Sequence, residues 1–143
     1  FLFEKDGAKF YSEDIEAIIE EECQRLKIED LTKEGQRRFK AILTTVGYRL
    51  FPNAIVRDTY GVRSSKPQPL NYYCNDDVYM SLCIYYIYLC NTYNKLVSIE
   101  GYCYLCNIDM MTAVRWKDSE PNSIHFRIWE TLFKNASISS SVL

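Results

Sequence analysis

Val78–Cys90 is apolar at every position but Ser81. No other stretch constrains the fold as tightly. Its Tyr and Ile content would suit a strand. Its length, the acidic pair Asp76-Asp77 in front and Lys95 behind predict a helix instead. The run is too short to cross a bilayer, so no membrane partner is expected. A helix that is apolar on all sides has to be covered on all sides. The expected fold is therefore all-α, a helical bundle of about five or six helices. Val78–Cys90 should be its central helix or a dimer surface. With 143 residues, 48% of them hydrophobic, the chain has enough material for one domain with a real core.

Ser98–Lys117, SIEGYCYLCNIDMMTAVRWK, reads as a helix-turn-helix in the C-terminal half. Ser98 is placed to cap a first helix, Ile99–Cys106. Asn107 sits where the turn needs a residue that tolerates a left-handed backbone. Asp109 is placed to cap a second helix, Met110–Lys117, and to favour its positive end. Ile99, Tyr102, Cys103 and Cys106 share one face, Ile108 plugs the turn, and Ala113 and Trp116 lie three apart on the second helix. Small residues at Cys103 and Ala113 allow the helices to cross closely. Two helices crossing at a short turn commonly present one of them to the major groove. Such pairs also occur as plain architecture in bundles.

The remaining elements follow from periodicity and caps. Phe1–Tyr11 is expected to be extended. Ser12 should cap an amphipathic helix with Ile15, Ile18, Ile19, Cys23 and Leu26 on its inner face. Thr32 should cap a second helix reaching Leu50, with Phe39, Ile42, Leu43, Val46 and Leu50 as its stripe. Gly47 is a weak spot in it, and Pro52 stops it. A break at Pro121-Asn122 and a cap at Ser123 predict a last helix with Phe126, Trp129, Leu132 and Phe133 as its stripe. Ser137–Ser141 reads as a tail. The organisation this suggests is an N-terminal helical arm at 1–52, acidic helix then basic helix. A linker or wrapping loop follows at 53–75, the best hinge candidate, then the helix-turn-helix domain at 76–143.

Net charge is only −2, so no global basic field announces nucleic acid. The charges are nevertheless segregated: Phe1–Thr32 carries −6, Lys33–Lys66 carries +6, Pro67–Asn94 carries −2, and Lys95–Leu143 is neutral. The acidic arm and basic middle can pair within the molecule or between subunits. Alternatively, Arg37, Arg38, Lys40, Arg49, Arg57, Arg63 and Lys66 include phosphate contacts.

Catalytic and metal signals are thin. Cys103-x-x-Cys106 would need two further ligands for zinc, such as Cys74, Cys90 or His125, and lacks the second paired motif. In the helical reading the two cysteines are small core residues. A thioredoxin-like use lacks the preceding strand. His125 reads as a surface residue at a helix start, with nothing to orient it toward a nucleophile. Asp76-Asp77 and Glu20-Glu21-Glu22 are explained by helix ends and a solvated face. Phosphate-cradling glycine loops are absent from the sequence. The expectation is a non-enzyme with no cofactor and no metal. The opening FLFEKDGAKF does not read as a signal peptide, and the compartment is expected to be cytoplasmic.

The residues of the motif carry a family resemblance. Ser98-Ile99-x-Gly101 and Cys106-Asn107-Ile108-Asp109 resemble the N-terminal helix-turn-helix of phage small terminase, or DNA-packaging, subunits. Their pattern is roughly T-I-x-G-L-A-x-x-L-G-I/V-S/T. Asp76–Leu143 is similar in layout to a phage and mobile-element family, with a Tyr/Cys-rich helix before the motif and a Trp in its second helix. Upstream, Leu31-Thr32-x-Glu34-Gly35 and Phe51-Pro52-Asn53 resemble segments of that family. Asn107 stands where the family has a turn glycine, and Met110, Met111 and Val114 stand where it has polar residues. The resemblance implies a protein that recognises viral duplex DNA in the host cytoplasm and hands it to a motor ATPase, the large terminase subunit. It also implies a homo-oligomeric ring. In that reading Asp109 and Ser98 set the motif, Thr112, Arg115 and Lys117 contact DNA, and Arg37, Arg38 and Lys40 add phosphate contacts. The alternative is a phage-encoded module that binds a host or viral protein through its Tyr- and Met-rich surface.

Overall fold

The computed structural model describes residues 2–5, 8–51 and 76–142. The fold is an all-α bundle with a short hairpin at its start. Strands β1 (Phe3–Lys5) and β2 (Ala8–Phe10) pair antiparallel with Phe3 opposite Phe10. Six α-helices follow among the described residues: α1 (Ser12–Arg25), α2 (Gln36–Leu50), α3 (Asp76–Tyr93), α4 (Ile99–Cys106), α5 (Met110–Arg115) and α6 (Ile124–Val142). Two 3-10 turns, Leu31–Lys33 and Trp116–Asp118, precede α2 and continue α5. None of the described helices is long and apolar enough to cross a membrane.

Several boundaries differ from the sequence reading, each for a local reason. Helix α1 is capped one residue early, because the Tyr11 N–H donates to Asp14 Oδ2 at 2.6 Å. Thr32 does not cap α2. Its N–H and hydroxyl both donate to Asp30 Oδ1, which closes the 3-10 turn, and α2 starts only after Gly35. In α6 the inward positions are Ile128 and Leu132. Trp129 is half-buried against the core, stacks on the exposed Phe133 at 5.2 Å and meets Phe126 tilted at 6.1 Å. The expected Ser-rich tail is helical through Val142.

One core joins the N-terminal and C-terminal helices. Ile15, Ile19, Phe39, Ile42, Leu43 and Val46 from α1 and α2 belong to the same buried cluster as Leu82, Tyr86, Tyr102, Leu105, Ile128 and Leu132. Helices α1 and α2 are thus packed into the bundle, not set apart from it as an arm. The expected linker and hinge at 53–75 lies outside the described residues. Helix α3 is covered on most of its circumference, while Ile84 (62% exposed) and Tyr88 (53% exposed) stay open beside a groove of about 470 Å³ facing α1. The central place is shared with α4, which packs against α2, α3, α5 and α6.

Helices α2 and α4 share an extensive contact. Lys40 lies beside Glu100, Gly47 beside Tyr104 and Leu105, and the Phe51 carbonyl beside Asn107, so the two helices run in the same direction. A Cβ on Gly47 would stand 2.1 Å from the Tyr104 carbonyl oxygen and 3.0 Å from that of Leu105. What reads in sequence as a weak spot is the point where one helix backbone rests on another. We expect Gly47→Ala to destabilise the protein by at least the ~1–3 kcal/mol typical of overpacking, read as a lower denaturation midpoint. An unchanged midpoint would mean that α2 and α4 do not touch here.

Lys95 is a second unanticipated anchor. Its sequence role was a cation at a helix end, yet it is only 3% exposed. Its ammonium donates to the carbonyls of Leu31 (2.8 Å), Thr32 (3.3 Å) and Glu34 (2.6 Å), tying the 3-10 turn to the end of α3. Burial lowers its pKa, opposed by the charges of Glu34 and Asp30. Lys95→Met keeps the stem and removes the donors. It should cost about 1–3 kcal/mol for each carbonyl left without a partner, measured by chemical denaturation.

Candidate nucleic-acid interface

The two helices of the motif are set by the caps expected of them. Ser98 is extended (φ −147°) and its Oγ accepts the Gly101 N–H at 2.9 Å. Asp109 Oδ1 accepts the Met111 N–H at 3.1 Å. Between them Asn107 adopts the left-handed conformation, φ 54° and ψ 49°. Its N–H returns to the Tyr104 carbonyl, and the Ile108 N–H to that of Cys103 at 3.0 Å. This closure satisfies the last carbonyls of α4 and turns the chain. The Asn107 side chain then donates to the Phe51 carbonyl at 2.7 Å, fixing the turn to the end of α2.

Burial within the motif follows the predicted spacing. Tyr102, Cys103, Cys106, Ile108, Ala113 and Trp116 are all buried. Burial pushes the Cys103 thiol up to about 12, as it does Cys83, so these are inert core groups at neutral pH. Among the described residues no three His, Cys, Asp or Glu side chains gather to hold a metal. Trp116 packs edge-on to Tyr79 and Tyr102, with centroids at 5.4 and 6.3 Å, and lies 5.1 Å from the ring of His125. His125 is thus half-buried in an aromatic cluster and is not the surface residue the sequence suggested.

Sequence reasoning missed the residue that holds the entry to the motif. The buried Tyr86 hydroxyl accepts the Ser98 N–H at 2.9 Å. It lies directly under Gly101, where a Cβ would stand 2.2 Å from it. Burial raises the pKa of this phenol, which keeps it neutral. The available signals were a tyrosine in an apolar helix and a glycine inside a capped one, and neither specifies a partner. The same holds for Tyr102, whose hydroxyl donates to the Tyr79 carbonyl at 2.8 Å.

The outward side of α5 and of the 3-10 turn that continues it carries two of the three expected contact residues. Arg115 and Lys117 are exposed and make no ion pair with any described residue. Thr112 is half-buried. Met110 is 42% exposed and Met111 53%. Asp109, Asp118 and Glu120 share the segment with the two cations, so its field is not strongly positive. The cations of α2 are differently placed. Arg37 is exposed, Arg38 lies 3.9 Å from Glu34, and Lys40 is 3.0 Å from Glu100 on the first turn of α4. Arg49 pairs with Glu21 of α1 at 2.9 Å, one link of the acidic–basic pairing formed within the molecule. Arg57, Arg63, Lys66 and Cys74 lie outside the described residues.

No family model matches the chain, and neither a curated protein nor a solved structure matches it.

Asn107 combines a left-handed backbone with a buried side-chain bond, and substitutions separate the two. Asn107→Gly keeps the backbone and loses the bond to Phe51. Asn107→Ala loses the bond and adds the left-handed cost of about 1–2 kcal/mol. Thermal melts should therefore rank the parent above Asn107→Gly and Asn107→Gly above Asn107→Ala.

Proposed function

We propose that this chain binds duplex DNA through α5 and is a phage or mobile-element protein similar to small terminase subunits. In this reading it is a non-catalytic protein without a cofactor, acting on viral DNA in the host cytoplasm. It self-associates and passes DNA to a large terminase subunit. The observation that carries the DNA reading is the posture of α5. The inner side of α5 and of the 3-10 turn that continues it, Ala113 and Trp116, is buried, and Ser98 and Asp109 cap the starts of the two helices of the motif. The outer side carries Arg115 at the end of α5 and Lys117 in the 3-10 turn after it, with no ion partner among the described residues. A short helix held rigidly at a crossed turn with free cations outward is what major-groove docking requires. Arg37 supplies a further exposed cation, while Lys40 is already engaged by Glu100. The exposed methionines favour a second reading, docking of a protein partner on the same surface.

Duplex binding measured across a salt series tests the reading. The logarithm of the affinity should fall with the logarithm of salt by about 0.9 per phosphate contacted. Arg115→Ala with Lys117→Ala should weaken binding and flatten that dependence. The denaturation midpoint should not move, because neither side chain belongs to the core. Absence of duplex binding at low salt would hand the surface to the protein-docking reading.

A further inference from the structure

We propose that the groove between α1 and α3 binds a linear aliphatic diamine, seating one ammonium against Ser12, Glu16 and Tyr85. The groove has a volume of about 470 Å³, within the range of small-ligand sites. It shares no residue with the Ser98–Lys117 motif, so it stands apart from the reading of α5 as a DNA contact. Its oxygens are short of protons. The Tyr85 hydroxyl lies 3.3 Å from the Ser12 carbonyl and 3.3 Å from Glu16 Oε1. Both distances are long for a hydroxyl donor, and its one proton faces two acceptors. The Ser12 hydroxyl does not relieve this, because it donates to Glu13. Glu16 is exposed and forms no ion pair with any residue of the described helices. Its charge bears on the groove wall: burial raises the pKa of Tyr85 and of Tyr93, and the Glu16 carboxylate raises both further.

Three oxygens with one proton between them call for a cation that carries several N–H groups. A primary ammonium has three donors and no acceptor. A carboxylate or phosphate would instead meet the like charge of Glu16. The positive end of α1 does not oppose a cation here, because Asp14 accepts the Tyr11 N–H and Glu13 stands beside it. The rest of the groove suits an alkyl stem. Tyr85 and Tyr88 stack with centroids 5.7 Å apart, and Tyr88 is exposed, so an aromatic face is open to the cation. Leu2 and the exposed Ile84 supply apolar wall for the methylenes. A second ammonium is answered by Glu20. That residue is exposed, lies about one turn further along α1, roughly 6 Å, and its charge reaches Tyr93 as that of Glu16 does.

The test titrates the whole chain with 1,5-diaminopentane, with pentane-1,5-diol, and with the same chain bearing a trimethylammonium at each end. Only the ends differ among the three probes. The diamine should bind and the diol should not. The trimethylammonium probe keeps the charge but has no N–H, and should bind about tenfold more weakly or worse. Glu16→Gln should weaken diamine binding by about tenfold or more. Glu29→Gln makes the same change of charge beyond the far end of α1 and should leave the affinity unchanged. Tyr88→Leu keeps an apolar wall, removes the aromatic face and should cost about two- to fivefold. Glu16 and Tyr88 are both exposed, so an unchanged denaturation midpoint shows that the variants are folded. Absence of diamine binding overturns the proposal. Equal affinity for the diamine and the trimethylammonium probe overturns it as well, as does an equal loss from Glu16→Gln and Glu29→Gln. None of these outcomes bears on DNA binding by α5.

Discussion

The seating of α2 on α4 at Gly47 is the contact on which the motif depends. A helix of eight residues has little stability of its own, so α4 must be held by its neighbours. Gly47 lets the α2 backbone rest on the Tyr104 and Leu105 carbonyls, and one turn later the Asn107 amide closes on the Phe51 carbonyl. On the opposite flank Tyr86 holds Ser98 from beneath Gly101. The two glycines permit approach, and the two polar contacts fix register at the start and end of α4. Helix α5 inherits its direction from this clamp, because three residues link it to α4 and it and its 3-10 continuation bury only Ala113 and Trp116.

The same backbone device ends three of the helices. Lys27, Asn94 and Asn107 all have positive φ, near 55–60°. In each case the next residue donates back to a carbonyl in the last turn: Ile28 to Cys23, Lys95 to Cys90 and Ile108 to Cys103. The next residue is then delivered inward, and Ile28, Lys95 and Ile108 are all buried. For the isoleucines this is simple apolar closure. For Lys95 it places an ammonium in the interior, which is tolerable because the carbonyls of Leu31, Thr32 and Glu34, in and just after the 3-10 turn, accept its hydrogen bonds. A cation usually found outside a helix end becomes the peg between α2's approach and α3's exit.

What was legible in the sequence was legible through periodicity and caps. The helical state of Val78–Cys90, the stripe of α2, the caps at Ser98 and Asp109 and the left-handed turn at Asn107 are local properties, and local patterns specify them. The departures share a different physics. Tyr86 on Ser98, Gly47 on Tyr104, Lys95 on Leu31 and Trp116 on His125 are tertiary contacts between segments whose relative placement no short window encodes. The stripe expected for α6 holds at Leu132 and in part at Trp129, while Ile128 takes an inner position and Phe133 is exposed. These aromatics bury part of their surface by stacking on each other along the helix flank.

Charge segregation in the sequence is weaker evidence for a basic surface than it first appears. Among the described cations of Lys33–Lys66, Arg38, Lys40 and Arg49 each have a carboxylate within 4 Å, from Glu34, Glu100 and Glu21. Such exposed pairs contribute little to stability, on the order of 0–1 kcal/mol. They still cancel much of the potential a polyanion would feel, and Debye screening removes more of what reaches beyond about 8–10 Å. Under the proposed DNA-binding reading, a contact made by α5 therefore cannot lean on a long-range field from the basic middle. It has to rest on Arg115 and Lys117 at short range and on whatever the apolar first turn adds. That division favours a binder whose phosphate contacts are few and whose preference comes from shape and apolar fit. Such a surface gains selectivity because less of its affinity is spread indiscriminately over every phosphate.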